Sequence, residues 1–190
     1  MMKYSLSFRI WHWLNAVVVL GLLGTVFLRK TFLSWRDNAE ILSLKLSSME
    51  ILINADQAKV LAKSIRAPMW EWHILLGYAL AFLTLYRVVL FFKDSSDKEC
   101  FSSLSIHKKL VHLMYYSLYA LLIFMSVSGL VIHFYELLGL TKSFAHDIKE
   151  IHELLYIAIL VFTPLHIAGV FVAENRDEKG IVSSMINGRK

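Results

Sequence analysis

Four long apolar stretches decide what this chain can become. They run from about Ile10 to Leu28, Trp70 to Phe92, Leu110 to Phe134 and His152 to Ala173. A helix needs ~20 mostly apolar residues to cross a bilayer, and each stretch meets that length. Each is also too uniformly apolar to be the amphipathic helix of a soluble core. Lipid offers no water to backbone N–H and C=O groups, so a spanning segment must pair them internally. The expected fold is therefore all-α, an integral membrane four-helix bundle. Composition agrees: 57% of the 190 residues are hydrophobic and only 18% charged, against ~25% charged in a typical soluble domain.

Several function classes drop out at once. The single cysteine, Cys100, cannot form an internal disulfide, a zinc cluster, an iron–sulfur site or a CxxCH haem attachment. It falls in an expected cytoplasmic loop as a free thiol and is given no role. With 2 prolines and 8 glycines, disordered and collagen-like structure are excluded. A net charge of +5 would suggest nucleic acid in a polar protein. At a mean hydropathy of +0.55 it points instead to a membrane, where basic residues gather on the cytoplasmic flanks. Membrane lipid is the expected partner and nucleic acid is not.

The first stretch follows Lys3 and Arg9, as a signal peptide would, but it ends in Phe27-Leu28-Arg29-Lys30 with no small-residue cleavage site. It reads as an uncleaved span. An N-terminus inside puts eleven of the 20 Lys and Arg on the cytoplasmic side. The short loop from Tyr135 to Ile151 then carries only Lys142 and Lys149 outside. This mildly favours both termini inside. Residues 30–69 form an extramembrane helical insertion in an otherwise single domain of 190 residues. Asn54-Ala-Asp-Gln57 resembles a capping box, predicting a helix from about Ala55 to Arg66 that stops before Pro68. Leu44, Leu46, Met49 and Leu52 suggest an earlier apolar surface. The expectation is a pair of short interfacial helices, with a lid or docking surface as the sharper alternative.

The 8 histidines are the unusual feature, because ionisable groups are costly in lipid and tend to be functional there. His12 falls near the cytoplasmic start of the first span and His73 near the external start of the second. His152 opens the fourth span on the external side, and His166 lies deeper toward the cytoplasm. These last two are 14 residues apart, about 21 Å of helix rise and only ~40° of rotation. One helix thus offers imidazoles at two depths. The natural pairings are His12 with His166 and His73 with His152. Two imidazoles on opposite faces of a macrocycle give a six-coordinate haem iron, suited to electron transfer rather than oxygen binding. Ligands projecting inward from facing helices are how bundles build cofactor sites. A pair centred on the third span, His112 with His133, is conceivable and ranks lower. His107 and His146 read as solvated loop residues.

The pattern resembles the bacterial cytochrome b561 / nickel–iron hydrogenase cytochrome b family, which includes formate dehydrogenase membrane subunits. The matching pieces are Arg9-Ile-Trp-His12-Trp13, His73-Ile-Leu-Leu-Gly77 with Arg87, His107 and His112 with Tyr116 and Gly129, and His152 with His166. The resemblance covers the four spans and not the Arg29–Met69 insertion. It implies two non-covalent b haems stacked across the membrane, electron exchange with quinone, and axial ligation by His12, His73, His152 and His166. A bacterial inner-membrane location follows from it, as does an external or membrane-bound redox partner subunit.

Other residues take roles around those ligands. Arg87 lies 14 residues after His73, on the same helical face. Guanidinium pairs well with carboxylate, so Arg9 and Arg87 are expected at the propionates of the inner haem, with snorkelling to lipid phosphate as the competing reading. Gly77, one turn after His73, would let a porphyrin lie close to the helix. Gly129 and Gly169 allow the same, or simple small-residue packing. Pro164 is placed to kink the fourth span and re-aim His166. Trp11, Trp13, Trp70 and Trp72 read as interfacial anchors. His112, at the level of His12 and His166, is a candidate for quinone contact, proton relay or alternative ligation.

Two functional classes follow. The first is a membrane electron-transfer cytochrome linked to quinone. It would be either the haem subunit of a larger oxidoreductase or a self-contained enzyme of superoxide:quinone type. The second is a haem-free path for metal ions or protons through the histidines. That class calls for acidic companions within the spans, and only Glu71 and Glu153 lie near membrane depth, both at ends. A structural scaffold explains the hydropathy and leaves the histidines to coincidence.

Overall fold

The computed structural model describes residues 4–93, 106–176 and 179–188. Among them the regular structure is entirely helical: α1 (Leu6–Lys30), α2 (Trp35–Ser47), α3 (Ala55–Lys93), α4 (Ile106–Phe134), α5 (Lys142–Asn175) and α6 (Ile181–Asn187). Helices α1, α3, α4 and α5 each contain a segment long and apolar enough to cross a membrane. Helix α2 has 13 residues and is too short to do so. Cys100 lies outside the described residues, as do the side chains of His107 and Lys108.

The surface confirms the solvent. Val17, Phe82, Leu113 and Phe171 stand 58–70% exposed, while Thr25, Ser126, Ser128 and Ser184 are buried. Large apolar side chains facing outward along such helices are what lipid, and not water, selects.

The chain divides into two compact units, Val18–Gly77 and a larger one made of Met1–Val17 with Tyr78–Lys190. In the smaller unit α1 and α3 come close enough that a Cβ on Gly21 would stand 2.9 Å from Leu76 Cδ1. Helix α3 begins with the expected capping box. The Gln57 amide donates to Asn54 Oδ1, and the Asn54 amide donates to Gln57 Oε1, both at 2.9 Å. It does not stop before Pro68, which lies inside a continuous helix of 39 residues. An internal proline forgoes one ladder bond, here to the Ser64 carbonyl, while its fixed φ stays helical. The insertion is therefore one separate helix, α2, plus an N-terminal extension of the second span, not two short helices. At 1.5 Å per residue α3 is about 58 Å long, well beyond a hydrocarbon core of about 30 Å.

In the larger unit, α5 starts at Lys142, with the Thr141 hydroxyl accepting from the Phe144 amide at 3.2 Å. His146 is thus helical and not in a loop, although its exposed side chain faces Glu150 across one turn at 3.6 Å. His152 lies nearly three turns inside α5, so the helix begins well before the apolar stretch that His152 opens. The earlier start has one cause: the first turns of α5 are polar, and hydropathy is blind to a helix that continues out of lipid. His107 likewise falls within α4, not before it. The Glu174 carboxylate accepts from the Gly180 and Val182 amides at 2.9 Å each. It thereby satisfies donors at the start of α6 that have no intrahelical partner.

Candidate haem-binding sites

The larger unit brings His12 and His166 together. Their ring centres are 6.3 Å apart and their planes meet at 53°. Two imidazoles that ligate one metal ion from opposite sides, each through a bond of about 2 Å, hold their centres roughly 6 Å apart. The spacing fits that arrangement. His12 Nδ1 is buried and no hydrogen-bond partner reaches it. Phe162 stacks on His166 with centres at 5.5 Å and planes at 13°. Trp13 meets His12 edge-on at 5.3 Å. Pro164 lies within α5 two residues before His166. A Cβ on Gly169 would meet nothing within 4 Å, so the face one turn beyond His166 is open.

Each of the other two expected ligands is held by a hydroxyl in its own unit. In the smaller unit His73 Nδ1 is 2.7 Å from Thr25 Oγ1, whose proton goes to the Leu22 carbonyl, also at 2.7 Å. In the larger unit His152 Nδ1 is 2.7 Å from Ser128 Oγ, which lies 3.3 Å from the Met125 carbonyl. A hydroxyl has one proton to give. When it goes to the carbonyl, the imidazole must donate from Nδ1, and the ring's lone pair falls on Nε2. Orientation through one ring nitrogen is how metal-binding histidines are usually prepared. The local sequence explains the approach of α5 to α4. Ser126, Ser128 and Gly129 carry little side chain, and the His152 ring lies over Gly129. Gly24 and Gly77 face open space, with nothing within 4 Å of a Cβ at either.

The two arginines expected at propionates both belong to the larger unit. One Arg9 guanidinium nitrogen donates to the Ile186 carbonyl at 3.1 Å, while its Nε is buried without a partner. Arg87 donates through Nε and an η nitrogen to the Tyr119 hydroxyl at 3.3 and 3.2 Å. Its guanidinium lies over the rings of Phe8, Trp11 and Tyr119 at 4.9–5.4 Å. It also borders a cavity of about 230 Å³ whose walls include Trp11, Thr84, Tyr116, Tyr119 and Leu122.

The tryptophans divide. Trp11 is no interfacial anchor: it is 5% exposed, and its indole N–H donates to the Leu83 carbonyl at 2.8 Å. Trp13 donates to the Met185 carbonyl of α6 at 3.3 Å. Trp70 meets His73 edge-on, 5.6 Å away, and Trp72 is exposed. His112 is exposed and stacks with Tyr116. His133 is exposed and meets Tyr78 and Phe134. Sequence reasoning missed Thr25, Ser128 and Tyr119. Only the run Ser126-Val-Ser128-Gly129 hinted at one of them, as a small and polar patch within an apolar span.

The family model described as prokaryotic cytochrome b561 matches residues 3–188. No curated protein and no solved structure matches the chain. Four membrane-length helices and a family match over nearly the whole sequence lead to one conclusion: the chain belongs to the prokaryotic cytochrome b561 family, membrane electron-transfer cytochromes that hold haem b.

Proposed function

We propose that this protein is a di-haem cytochrome that moves electrons across the bacterial inner membrane between an external donor or partner subunit and the quinone pool. The observation that carries the proposal is the 6.3 Å separation of the His12 and His166 rings. These two residues would hold one haem iron, and His73 and His152 would supply imidazoles for a second. Haem b, when bound, supplies reversible one-electron chemistry at iron that is fully ligated by protein. The protein supplies the placement. Trp11, tied to Leu83, fixes the turn of α1 that carries His12. Phe162 restrains the ring of His166, and Thr25 and Ser128 fix the tautomers of His73 and His152.

Arg9 and Arg87 are the proposed propionate partners. The buried Nε of Arg9 is a donor suited to a carboxylate, and a carboxylate is a stronger acceptor for Arg87 than a phenol is. Gly77 leaves room for a porphyrin beside α3. The cavity at Arg87 supports the quinone part of the reading. Its walls are almost wholly apolar, and Arg87 and Tyr119 stand there as donors for a quinone oxygen. Tyr116 links that cavity to His112. The orientation with both termini inside rests on the distribution of Lys and Arg. The alternative of a metal-ion path needs clustered ligands, and among the described residues no three His, Cys, Asp or Glu side chains gather.

The reading is tested by adding a short-chain quinol to the oxidised, purified protein in lipid nanodiscs. Reduction of the b-haem absorption is expected. A spectrum that dithionite reduces and quinol leaves unmoved would remove quinone from the proposal.

A further inference from the structure

The four expected ligands do not have the same surroundings. His73 and His152 each present Nδ1 to a hydroxyl oxygen at 2.7 Å. His12 has a buried Nδ1 with no partner, and the contacts of His166 are with the rings of His12 and Phe162. The two hydroxyls share one construction. Each lies on a spanning helix within reach of a carbonyl three residues earlier, Leu22 for Thr25 and Met125 for Ser128. With its proton on that carbonyl, the oxygen accepts from the imidazole. The opposite assignment would leave oxygen lone pairs facing each other at 2.7 Å in the case of Thr25. Both side chains are buried, at 7% and 3% exposure, so water does not compete for these contacts.

We propose that Thr25, through His73, and Ser128, through His152, are positioning residues that each lower the reduction potential of the haem their histidine ligates, relative to the His12/His166 site. This rests on the ligand assignment proposed above. An imidazole that donates from Nδ1 to an oxygen acceptor is a more basic ligand at Nε2. A more basic ligand favours the ferric over the ferrous ion, because the higher charge gains more from it. His73 and His152 each carry this bias, and His12 and His166 do not. The hydroxyls thus tilt the transfer equilibrium toward the His12/His166 site.

The test is a redox titration of the full-length protein holding its haems, followed optically and by the ferric low-spin EPR signals. Thr25→Val removes the hydroxyl and keeps the shape; Thr25→Ser restores the hydroxyl without the methyl. Thr25→Val should move the reduction equilibrium of one haem by about tenfold toward the ferrous form, roughly 59 mV upward for a one-electron couple. The other haem should stay in place, and Thr25→Ser should return the wild-type value. If Thr25→Val loses the haem outright, Ser128→Ala against Ser128→Thr gives the same comparison. Unmoved potentials in the hydroxyl-less variants, or a serine variant that behaves like the valine one, overturn the proposal. A parallel His152→Ala variant that keeps two haems overturns the ligand assignment itself, and the tuning proposal with it.

Discussion

The imidazole of His152 lies over Gly129, where a Cβ would stand 3.6 Å from the ring's Cε1. That is ordinary van der Waals distance, so Gly129→Ala should leave haem content unchanged. A leucine has no such room. Gly129→Leu should push the ring off Ser128 and cost the protein one haem per chain while the four helices persist. Haem content by pyridine haemochrome and helicity by circular dichroism check both halves of this expectation.

His12 and His166 form one site, so each substitution should have the same consequence. His12→Ala and His166→Ala are each expected to lose one haem, the same one, and the double variant should lose no more than either single variant. Paired optical and EPR spectra distinguish this from loss of a different haem in each.

Trp11 ties α1 to α3 through the Leu83 carbonyl at 2.8 Å and immediately precedes His12. Trp11→Phe removes the donor and part of the buried ring. A lost hydrogen bond of this kind is worth about 1 kcal/mol, with a packing loss added. The expected result is a lower thermal midpoint in detergent, followed at the Soret band, with unchanged haem content at low temperature.

Much of the fold was legible in the sequence because lipid imposes a simple rule of apolar length. The same rule hid what lies beyond the bilayer. The capping box at Asn54 and Gln57 marked where α3 begins, yet Pro68 suggested a stop where the helix in fact continues. The polar first turns of α5 concealed its start at Lys142. The two depths offered by His152 and His166 were legible since helix geometry fixes rise and rotation along α5, and of the pairings drawn from them the rings of His12 and His166 do come together. Thr25 and Ser128 were not legible. Their contacts depend on how α1 meets α3 and how α4 meets α5, and hydroxyls in apolar helices are too common to single out. Arg87 was placed on the face of His73 by periodicity alone. That geometry could not show that Phe8, Trp11 and Tyr119 would hold it.

Orientation can be checked through the chain's single cysteine, Cys100. With both termini inside, a membrane-impermeant maleimide should fail to label it in intact spheroplasts and succeed once the inner membrane is opened. Labelling of intact spheroplasts would reverse the orientation.

The most direct test of the account is the haem-to-protein ratio of the detergent-purified protein, measured with its dithionite-reduced-minus-oxidised spectrum after haem-replete expression. The account predicts two low-spin b haems per chain. One haem per chain would contradict the two-site ladder, and none would contradict the cytochrome reading as a whole.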